Sequence, residues 1–257
     1  LTLTLGDDGE AVDKYCLDVG IRTVAVDGDR LLLNGAPITY RGFGRHEDSP
    51  VHGRGLNLPL MVKDNSLLKW LGANSYRTSH YPYAEEAMWL ADREGLLVVD
   101  ETPAVGLFFT DGEGAIGTRL VQVRQQVQEL IARDKNHPSV IMWSLANEPL
   151  VGQRGIPMMA GSGDSPHPAT GPFFSDLFAL ARSLDPTRLV TVESPIGPRD
   201  IDWLRQADVI CLHRYDGWYT SSGRLDEAQR LLAKDVDEIH AMYGKPVAIT
   251  EFGADTK

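Results

Sequence analysis

Short apolar segments that alternate with longer helical ones are the feature of this sequence that most constrains its fold. Seven segments of four to six residues have the composition of buried strands: Ile38–Phe43, Ser75–Thr78, Leu96–Asp100, Val140–Leu145, Leu189–Glu193, Val209–Leu212 and Val247–Thr250. Six helical segments separate them: Met61–Leu71, Glu85–Glu94, Val121–Lys135, Phe174–Leu184, Ile201–Gln206 and Leu225–Tyr243. Because short apolar strands, each followed by a helix, are typical of parallel β/α units, the pattern predicts an α/β fold.

Polar residues at the strand ends distinguish between the two architectures that fit this alternation. They follow many different strands: Arg45-His46-Glu47-Asp48, Ser79-His80-Tyr81, Asp100-Glu101, Asn147-Glu148, Glu193, His213-Arg214-Tyr215 and Glu251. A barrel gathers all these ends around one mouth, whereas an open doubly wound sheet would scatter them. The segment Gly42–Arg45 also lacks the third glycine of a dinucleotide-binding loop. The sequence therefore predicts a (β/α)8 TIM barrel of which seven strands are visible.

The N-terminal residues have a different pattern. Leu1–Leu5 alternates leucine and threonine with period two and precedes a turn at Gly6–Gly9, as expected of a β-hairpin. A second hairpin is predicted for Arg22–Val26 and Arg30–Leu33 around Asp27-Gly28-Asp29. We therefore expect residues 1–20 to be the last strands of a β domain and residues 21–257 to be an incomplete barrel domain without its eighth strand.

Composition and charge exclude several classes of protein. The formal net charge of −11 argues against a non-specific binder of nucleic acid or of an anionic membrane, which needs a basic surface. No apolar run reaches the ~18 residues of a spanning helix, and no leader sequence is visible, so we expect a cytoplasmic location. The two cysteines, Cys16 and Cys211, are too few for a disulfide scaffold, and we expect both to be buried thiols.

Two glutamates carry the strongest chemical signal. Glu148 and Glu251 each follow an apolar strand, on the fourth and the seventh predicted strands, so both side chains should reach the barrel mouth. Glycosidic cleavage needs two carboxyl groups in different environments, one that holds a proton for the leaving oxygen and one that stays ionised. The pair therefore indicates a glycosidase.

Long motifs around these glutamates resemble glycoside hydrolase family 2, and specifically its β-glucuronidase branch. The matching segments are Gly42–Asp48, Gly72–Pro82, Ile131–Ser139, Ser144–Pro149 and Ile249–Gly253. Residues 109–117 and 152–172 are less similar and are predicted to be loops. The resemblance implies a retaining exo-β-glycosidase with no cofactor, whose barrel follows an immunoglobulin-like β-sandwich; residues 1–20 would be the end of that sandwich.

The resemblance also implies roles for individual residues at the reaction centre. Glu148 would be the general acid/base, and Glu251 the nucleophile. Asn147 would bind the sugar 2-hydroxyl, Tyr215 would donate a hydrogen bond to Glu251, and Arg77 would hold the Glu251 side of the site.

Three further residues are implied to bind the sugar. His46 and His80 would line the sugar pocket, and Tyr219 matches a tyrosine that contacts the glucuronate carboxylate. Strand-end histidines could instead satisfy hydrogen bonds within the fold. The roles of Glu101 and Glu193 stay open, between contact with the substrate and ion pairing.

One segment departs from the branch. Branch members typically read Asn-Arg-Tyr-Tyr-Gly-Trp-Tyr after the sixth strand, whereas this chain has His213 and Asp216 within His213–Tyr219. A carboxylate at Asp216 would repel a uronic acid if it pointed into the pocket. The alternative is therefore a β-galactosidase or β-galacturonidase of the same family. Since the predicted barrel lacks its eighth strand, a carbohydrate-binding or structural remnant without catalysis is a further alternative.

Other kinds of chemistry have little support. His46, Asp48, His52, His80 and His213 could in principle gather around a cation, but no HExxH motif is present, and we expect no catalytic metal. A serine nucleophile is also not indicated, because there is no G-x-S-x-G elbow. The expected partner is a small β-glycoside, with neither nucleic acid nor a membrane, and the full-length protein is expected to be a homo-oligomer.

Overall fold

Two small antiparallel sheets form the N-terminal part of the computed structural model, which describes residues 1–7, 9–155, 158 and 163–253. The first sheet is a hairpin of β1 (Thr2–Asp7) and β2 (Glu10–Cys16), and all residues of both strands are exposed. The second is a meander of β3 (Val24–Asp27), β4 (Arg30–Leu33) and β5 (Ala36–Ile38). Both predicted hairpins are confirmed, although Asp8 in the first turn lies outside the described residues.

Seven parallel strands follow and form the main sheet. They pair in chain order and are β6 (Gly42–Arg45), β7 (Ser75–Thr78), β8 (Leu97–Glu101), β9 (Val140–Asn147), β10 (Leu189–Ser194), β11 (Ile210–His213) and β12 (Val247–Glu251). The connecting helices are α1 (Leu58–Trp70), α2 (Glu85–Glu94), α3 (Glu113–Asp134), α4 (Thr170–Leu184), a 3₁₀ helix (Asp202–Gln206) and α5 (Leu225–Tyr243).

The sheet curls into a nearly closed barrel, with β12 close to β6. Within the described residues these two strands are the edges of the sheet and are not hydrogen-bonded to each other. The predicted fold, an α/β barrel with seven visible strands after a short antiparallel region, is confirmed.

Several predicted element bounds were wrong, most clearly those of the first barrel strand and of the third helix, while α1 and α4 begin three and four residues before their predicted starts. The first barrel strand is β6 and not Ile38–Phe43, because Ile38 pairs with Leu31 in the meander. Helix α3 begins at Glu113, eight residues before the predicted start and within a predicted loop. The second predicted loop is only partly described, since residues 156, 157 and 159–162 lie outside the described residues.

The ends of several helices follow ordinary capping rules. The Asn57 side chain accepts a hydrogen bond from the backbone N–H of Leu60 at the start of α1. Helices α2 and α5 end at Gly95 and Gly244, whose φ angles of 70° and 61° are left-handed. The connections between strands and helices are therefore encoded locally.

An apolar cluster closes the amino-terminal end of the barrel. Its buried members are Leu31, Val99, Met142, Leu189, Val209 and Cys211, and residues of the meander and of the linker to β6, including Val24, Ile38 and Tyr40, pack against it. Cys211 is thus buried as expected, but the expectation for Cys16 was wrong, because Cys16 lies on the exposed hairpin. The meander therefore leaves the opposite end of the barrel as the open one.

A second and larger apolar cluster lies between the barrel wall and the helices. It includes Val123 and Val127 of α3, and Phe173 and Phe174 of α4. The Phe174 ring stacks on Trp203 of the 3₁₀ helix at a centroid distance of 4.2 Å. Among the helices of the described residues, none is long and apolar enough to cross a membrane.

Candidate active site

The carboxyl ends of the barrel strands bring most of the predicted site residues into one hydrogen-bonded network. Glu148 and Glu251 both contact the Tyr215 hydroxyl. Glu251 also contacts Arg77 and lies 3.9 Å from His80. These side chains come from four different strands or the loops after them, as expected for a barrel mouth.

Glu148 follows β9 and has an unusual backbone conformation. Its φ angle is 45°, in the left-handed region that non-glycine residues rarely adopt. The Glu148 N–H donates to the carbonyl of Glu193 over 2.9 Å, which ties this turn to β10. Its carboxyl group is 32% exposed and thus open to a ligand. Backbone strain of this kind is typical of functional sites.

Glu251 ends β12, and donors reach both of its carboxylate oxygens. The Tyr215 hydroxyl donates to Oε1, and Arg77 Nη1 donates to Oε2 over 3.2 Å. Burial acts to raise the pKa of Glu251, but nearby His213, the Tyr215 hydrogen bond and Arg77 lower it, and the net shift is downward. Glu251 is therefore held as an anion.

Arg77, on β7, is the centre of the network and is only 2% exposed. Its Nη2 donates to Oδ1 of Asn147 over 2.7 Å, and its Nε donates to Glu101 over 3.0 Å. Burial acts to lower the pKa of Arg77, but the charges of Glu193 and Glu101 raise it well above its ordinary value. Because Oδ1 of Asn147 is occupied by Arg77, its amide N–H groups are the donors it can offer to a sugar hydroxyl.

Glu101 is a fully buried residue whose role the sequence left open. Its Oε1 lies 3.2 Å from His80 Nδ1, and its Oε2 accepts from the Ser144 hydroxyl over 2.8 Å. His80 Nε2 lies 3.9 Å from Glu251 Oε2. Glu101 therefore orients both Arg77 and His80 and has no exposed surface with which to contact a substrate.

His213, at the end of β11, occupies the middle of the site. Its side chain is completely buried, with Nδ1 2.8 Å from Glu148 Oε1 and Nε2 3.4 Å from Glu193 Oε2. Glu193 is also fully buried, and its carboxylate accepts from the Thr250 hydroxyl. The sequence identified His213 as a strand-end residue, as a candidate metal ligand and as a departure from the branch motif, but nothing local signals its contacts to Glu148, Glu193 and Arg77.

His46 and Tyr219 lie at the periphery. The His46 ring is exposed and meets the His80 ring edge-on at 5.2 Å, and it lines a cavity of about 200 Å³ with Glu251 and Phe252. Tyr219 is 63% exposed and packs against the Tyr215 ring at 4.9 Å. Neither side chain belongs to the hydrogen-bonded network in the described residues.

Asp216 lies beside Tyr219 in a separate cavity of about 110 Å³ that His213 and Tyr215 also line. Its Oδ1 accepts a hydrogen bond from the Thr220 hydroxyl over 3.1 Å. The carboxylate that distinguishes this segment from the branch motif is thus engaged within its own loop.

The sequence candidates for metal binding do not form a cluster. In the part of the chain that the structure describes, the group with suitable spacing is Glu148, His213 and Glu251, with ligand atoms within 4.8 Å of one another. However, Arg77 Nη1 lies 3.2 Å from both His213 Nε2 and Glu251 Oε2, and this fixed positive charge opposes a cation.

Comparisons with known proteins identify the family. The family model "Glycosyl hydrolases family 2, TIM barrel domain" matches residues 24–257. The chain is 43% identical to a β-glucuronidase of Paenibacillus borealis over 96% of its length and 42% identical to the human β-glucuronidase over 96%. It spans only 40% and 36% of the lengths of these two relatives.

Solved structures give the same result. A β-D-glucuronidase of Dictyoglomus thermophilum superposes with a TM-score of 0.87 at 42% identity, covering 99% of this chain and 43% of the other. A Bifidobacterium dentium β-glucuronidase, complexed with coumarin-3-O-glucuronide, also gives 0.87 at 42% identity, covering 100% and 40%. The resemblance to the β-glucuronidase branch is confirmed, and the chain belongs to glycosyl hydrolase family 2.

Proposed function

We propose that the protein is a retaining exo-β-glycosidase that hydrolyses β-glucuronides. The observation that carries this proposal is the spacing of the two carboxyl groups, since an oxygen of Glu148 and an oxygen of Glu251 lie within 4.8 Å of each other. Retaining glycosidases hold their carboxyl groups about 5–5.5 Å apart, whereas inverting enzymes need about 6.5–9.5 Å to admit a water molecule.

In this proposal the two glutamates have different roles. Glu251, ionised and oriented by Tyr215 and Arg77, attacks the anomeric carbon, while Glu148 protonates the departing oxygen. A covalent glycosyl-enzyme forms, and Glu148 then takes a proton from the water that releases the sugar with its configuration retained. Asn147 binds the sugar 2-hydroxyl through its amide N–H groups.

The sugar is proposed from the similar proteins and from the pocket. The relatives named above are β-glucuronidases, and one of them was solved with a glucuronide. His46 and His80 would line the sugar pocket, and Tyr219 would contact the carboxylate of the sugar. The position of Asp216 beside Tyr219 favours the neutral sugar of a β-galactoside as the second candidate, and a β-galacturonide is the third.

The experiment compares variants of the full-length protein. Glu251→Gln should reduce kcat by roughly 10⁴-fold or more, because it removes the nucleophile but keeps the shape of the side chain. Glu148→Ala should be slow on 4-nitrophenyl β-D-glucuronide and recover turnover when azide is added, with a β-glucuronyl azide as product. Full activity of either variant would contradict the assignment.

A panel of nitrophenyl glycosides settles the sugar. A higher kcat/KM for the glucuronide than for the galactoside and the galacturonide would support the proposal, and the reverse order would favour an alternative. Sugar binding without any turnover would instead favour the non-catalytic remnant.

Several expectations from the sequence stay predictions. The domain limits of 1–20 and 21–257 can be tested by limited proteolysis, and the homo-oligomer by light scattering. The cytoplasmic location can be tested by cell fractionation. Activity that survives exhaustive dialysis against a chelator would support hydrolysis without a cofactor.

A further inference from the structure

His213 is a buried histidine that the proposed reaction does not yet use. It ends β11, and its side chain has no exposed surface. Three carboxylates surround it, at 2.8 Å for Glu148, 3.4 Å for Glu193 and 3.8 Å for Glu251. Burying an imidazole beside three carboxyl groups costs free energy unless each ring nitrogen has a hydrogen-bond partner.

The two ring nitrogens of His213 face different partners. Nδ1 faces Oε1 of Glu148, and Nε2 faces both Oε2 of Glu193 and, at 3.2 Å, the Nη1 atom of Arg77. A protonated ring donates from both nitrogens, to Glu148 and to Glu193. A neutral ring with its proton on Nδ1 still donates to Glu148, while Nε2 accepts from Arg77.

The surrounding charges favour the protonated ring. Burial acts to lower the pKa of His213, but hydrogen bonds to Glu148 and Glu193 raise it, Arg77 opposes them, and the net shift is upward. Burial acts to raise the pKa of Glu193, but Arg77 and His213 lower it, and the net shift is downward. Glu193 is therefore held as an anion. The Tyr215 ring also lies beside His213, with its centroid 6.5 Å away.

The same contacts distinguish the two oxygens of Glu148. In the described residues, the hydrogen bonds to its carboxyl group fall on Oε1, from His213 and, at 3.3 Å, from the Tyr215 hydroxyl. The single proton of that hydroxyl is donated to Glu251, so His213 is the donor that serves Glu148. Oε2 is then the oxygen that can exchange a proton with a ligand.

We propose that His213 is a positioning residue that holds Oε1 of Glu148 through Nδ1–H and thereby assigns the transferable proton of the acid/base to Oε2. The proposal rests on the proposed function. In the first step the Oε2 proton passes to the glycosidic oxygen as its bond to the anomeric carbon breaks. In the second step Oε2 regains a proton from the attacking water. The His213 proton stays on Nδ1 throughout, and Glu193 balances the charge of the ring.

The test is the pH dependence of kcat/KM for His213→Asn in the full-length protein. An asparagine can keep a donor to Oε1 but carries no charge, so Glu148 should keep its proton to higher pH. The basic limb should move upward by about one pH unit, because a charge within hydrogen-bonding distance shifts a titration by about that amount. The substrate should be an alkyl β-D-glucuronide, since a poor leaving group requires the acid.

Two further variants keep the test decisive. His213→Leu, which removes the donor to Oε1, should lower kcat/KM on the alkyl glucuronide by more than His213→Asn does. It should lower kcat/KM less on 4-nitrophenyl β-D-glucuronide, whose good leaving group does not need the acid. His240→Asn is the matched control, because His240 lies on α5, with Nδ1 3.0 Å from the carbonyl of Lys245, and should leave the profile unchanged.

The outcomes separate this proposal from the proposed function. Equal kcat/KM of His213→Leu and His213→Asn on the alkyl glucuronide, or an equal loss by His213→Leu on both substrates, would overturn the positioning role. A basic limb that stays in place in His213→Asn would overturn the positive charge assigned to the ring. The azide rescue of Glu148→Ala would still support the acid/base assignment in that case. Conversely, full activity of Glu148→Ala would contradict the proposed function itself.

Discussion

The two ends of the barrel are stabilised by different physical means. At the amino-terminal end, Leu31 of the meander packs with Val99, Val209 and other apolar residues that begin or line the strands. At the carboxyl-terminal end, Arg77, Glu101, Glu193 and His213 are equally buried, but all of them can carry charge. Burial therefore stabilises one end directly, while at the other end it is tolerated only because each charge has partners.

This difference has a functional consequence. Fixed charges in a site with little water keep their full strength and do not need to reorganise during a reaction. The arrangement at the mouth holds Glu251 as an anion beside Arg77 and Tyr215, while the apolar end can change in detail without altering these distances. Stability and chemistry should thus be separable by mutation at one end but not at the other.

Arg77→Met should have the largest effect on stability. It removes the cation that Glu101, Glu193 and Glu251 share, and an unpaired buried charge costs about 3–5 kcal/mol. Urea unfolding should show this loss, and kcat/KM of the folded fraction should also fall. Arg77→Lys is the matched control, because it keeps the charge but cannot serve Glu101 and Asn147 from one planar fork. Equal stability of Arg77→Met and the wild type would contradict the role of this network.

Leu31→Ala should reduce stability almost as much but leave the chemistry intact. Removing a buried leucine side chain costs about 2–3 kcal/mol through lost burial and the cavity left behind. The kcat/KM of the folded protein should match the wild type, because Leu31 lies at the end of the barrel away from Glu148. Val12→Ala on the hairpin is the control: Val12 is 66% exposed, and the change should stay within about 0.5 kcal/mol. A clear loss of kcat/KM in Leu31→Ala would show that the two ends are coupled.

The sequence predicted the apolar end and the barrel wall better than it predicted the contacts at the mouth. β7 has the bounds predicted for it. β10 was predicted to within one residue, because a short apolar run is a local signal. β6 was misplaced because Ile38 pairs with Leu31, and the start of α3 was missed because Gly114 and Gly117 weaken the helical pattern.

The site shows the same limit more strongly. Glu148, Glu251 and Arg77 were predicted from strand-end positions and motifs, and the structure places them together. The contacts of Glu101 join neighbouring strands, but the sequence left its role open. The contacts of His213 were not predicted, since they join strands that are far apart in the chain. Such pairings depend on the closure of the barrel, which no local pattern encodes.

Asp100 is a second buried carboxyl group on β8. Its protonation state shows whether charge is also buried between the barrel strands and the helices. Asp100 neighbours Glu101 on β8 but contacts Thr78 and, on α3, Asp134, and both aspartates are fully buried. Burial, followed by the nearby Asp134, raises the pKa of Asp100 well above its ordinary value, so its neutral form fits the fold. Its contribution to stability is therefore complete below the unfolded pKa of about 3.9 and is lost as the pH rises through the folded pKa.

Asp100→Asn should remove this pH dependence with the smallest effect of the three. Its amide can accept from Thr78 and donate to Asp134 without titrating, so the variant should be more stable than the wild type at alkaline pH by the order of 1 kcal/mol. Urea unfolding from pH 4 to pH 9 measures this. Asp27→Asn is the control, because Asp27 is exposed and pairs only at the surface with Arg30. If the free energy of unfolding of Asp100→Asn and of the wild type changed with pH in the same way, Asp100 would be accommodated as an anion. Buried charge on β8 would then include Asp100, next to α3, as well as Glu101 at the barrel mouth.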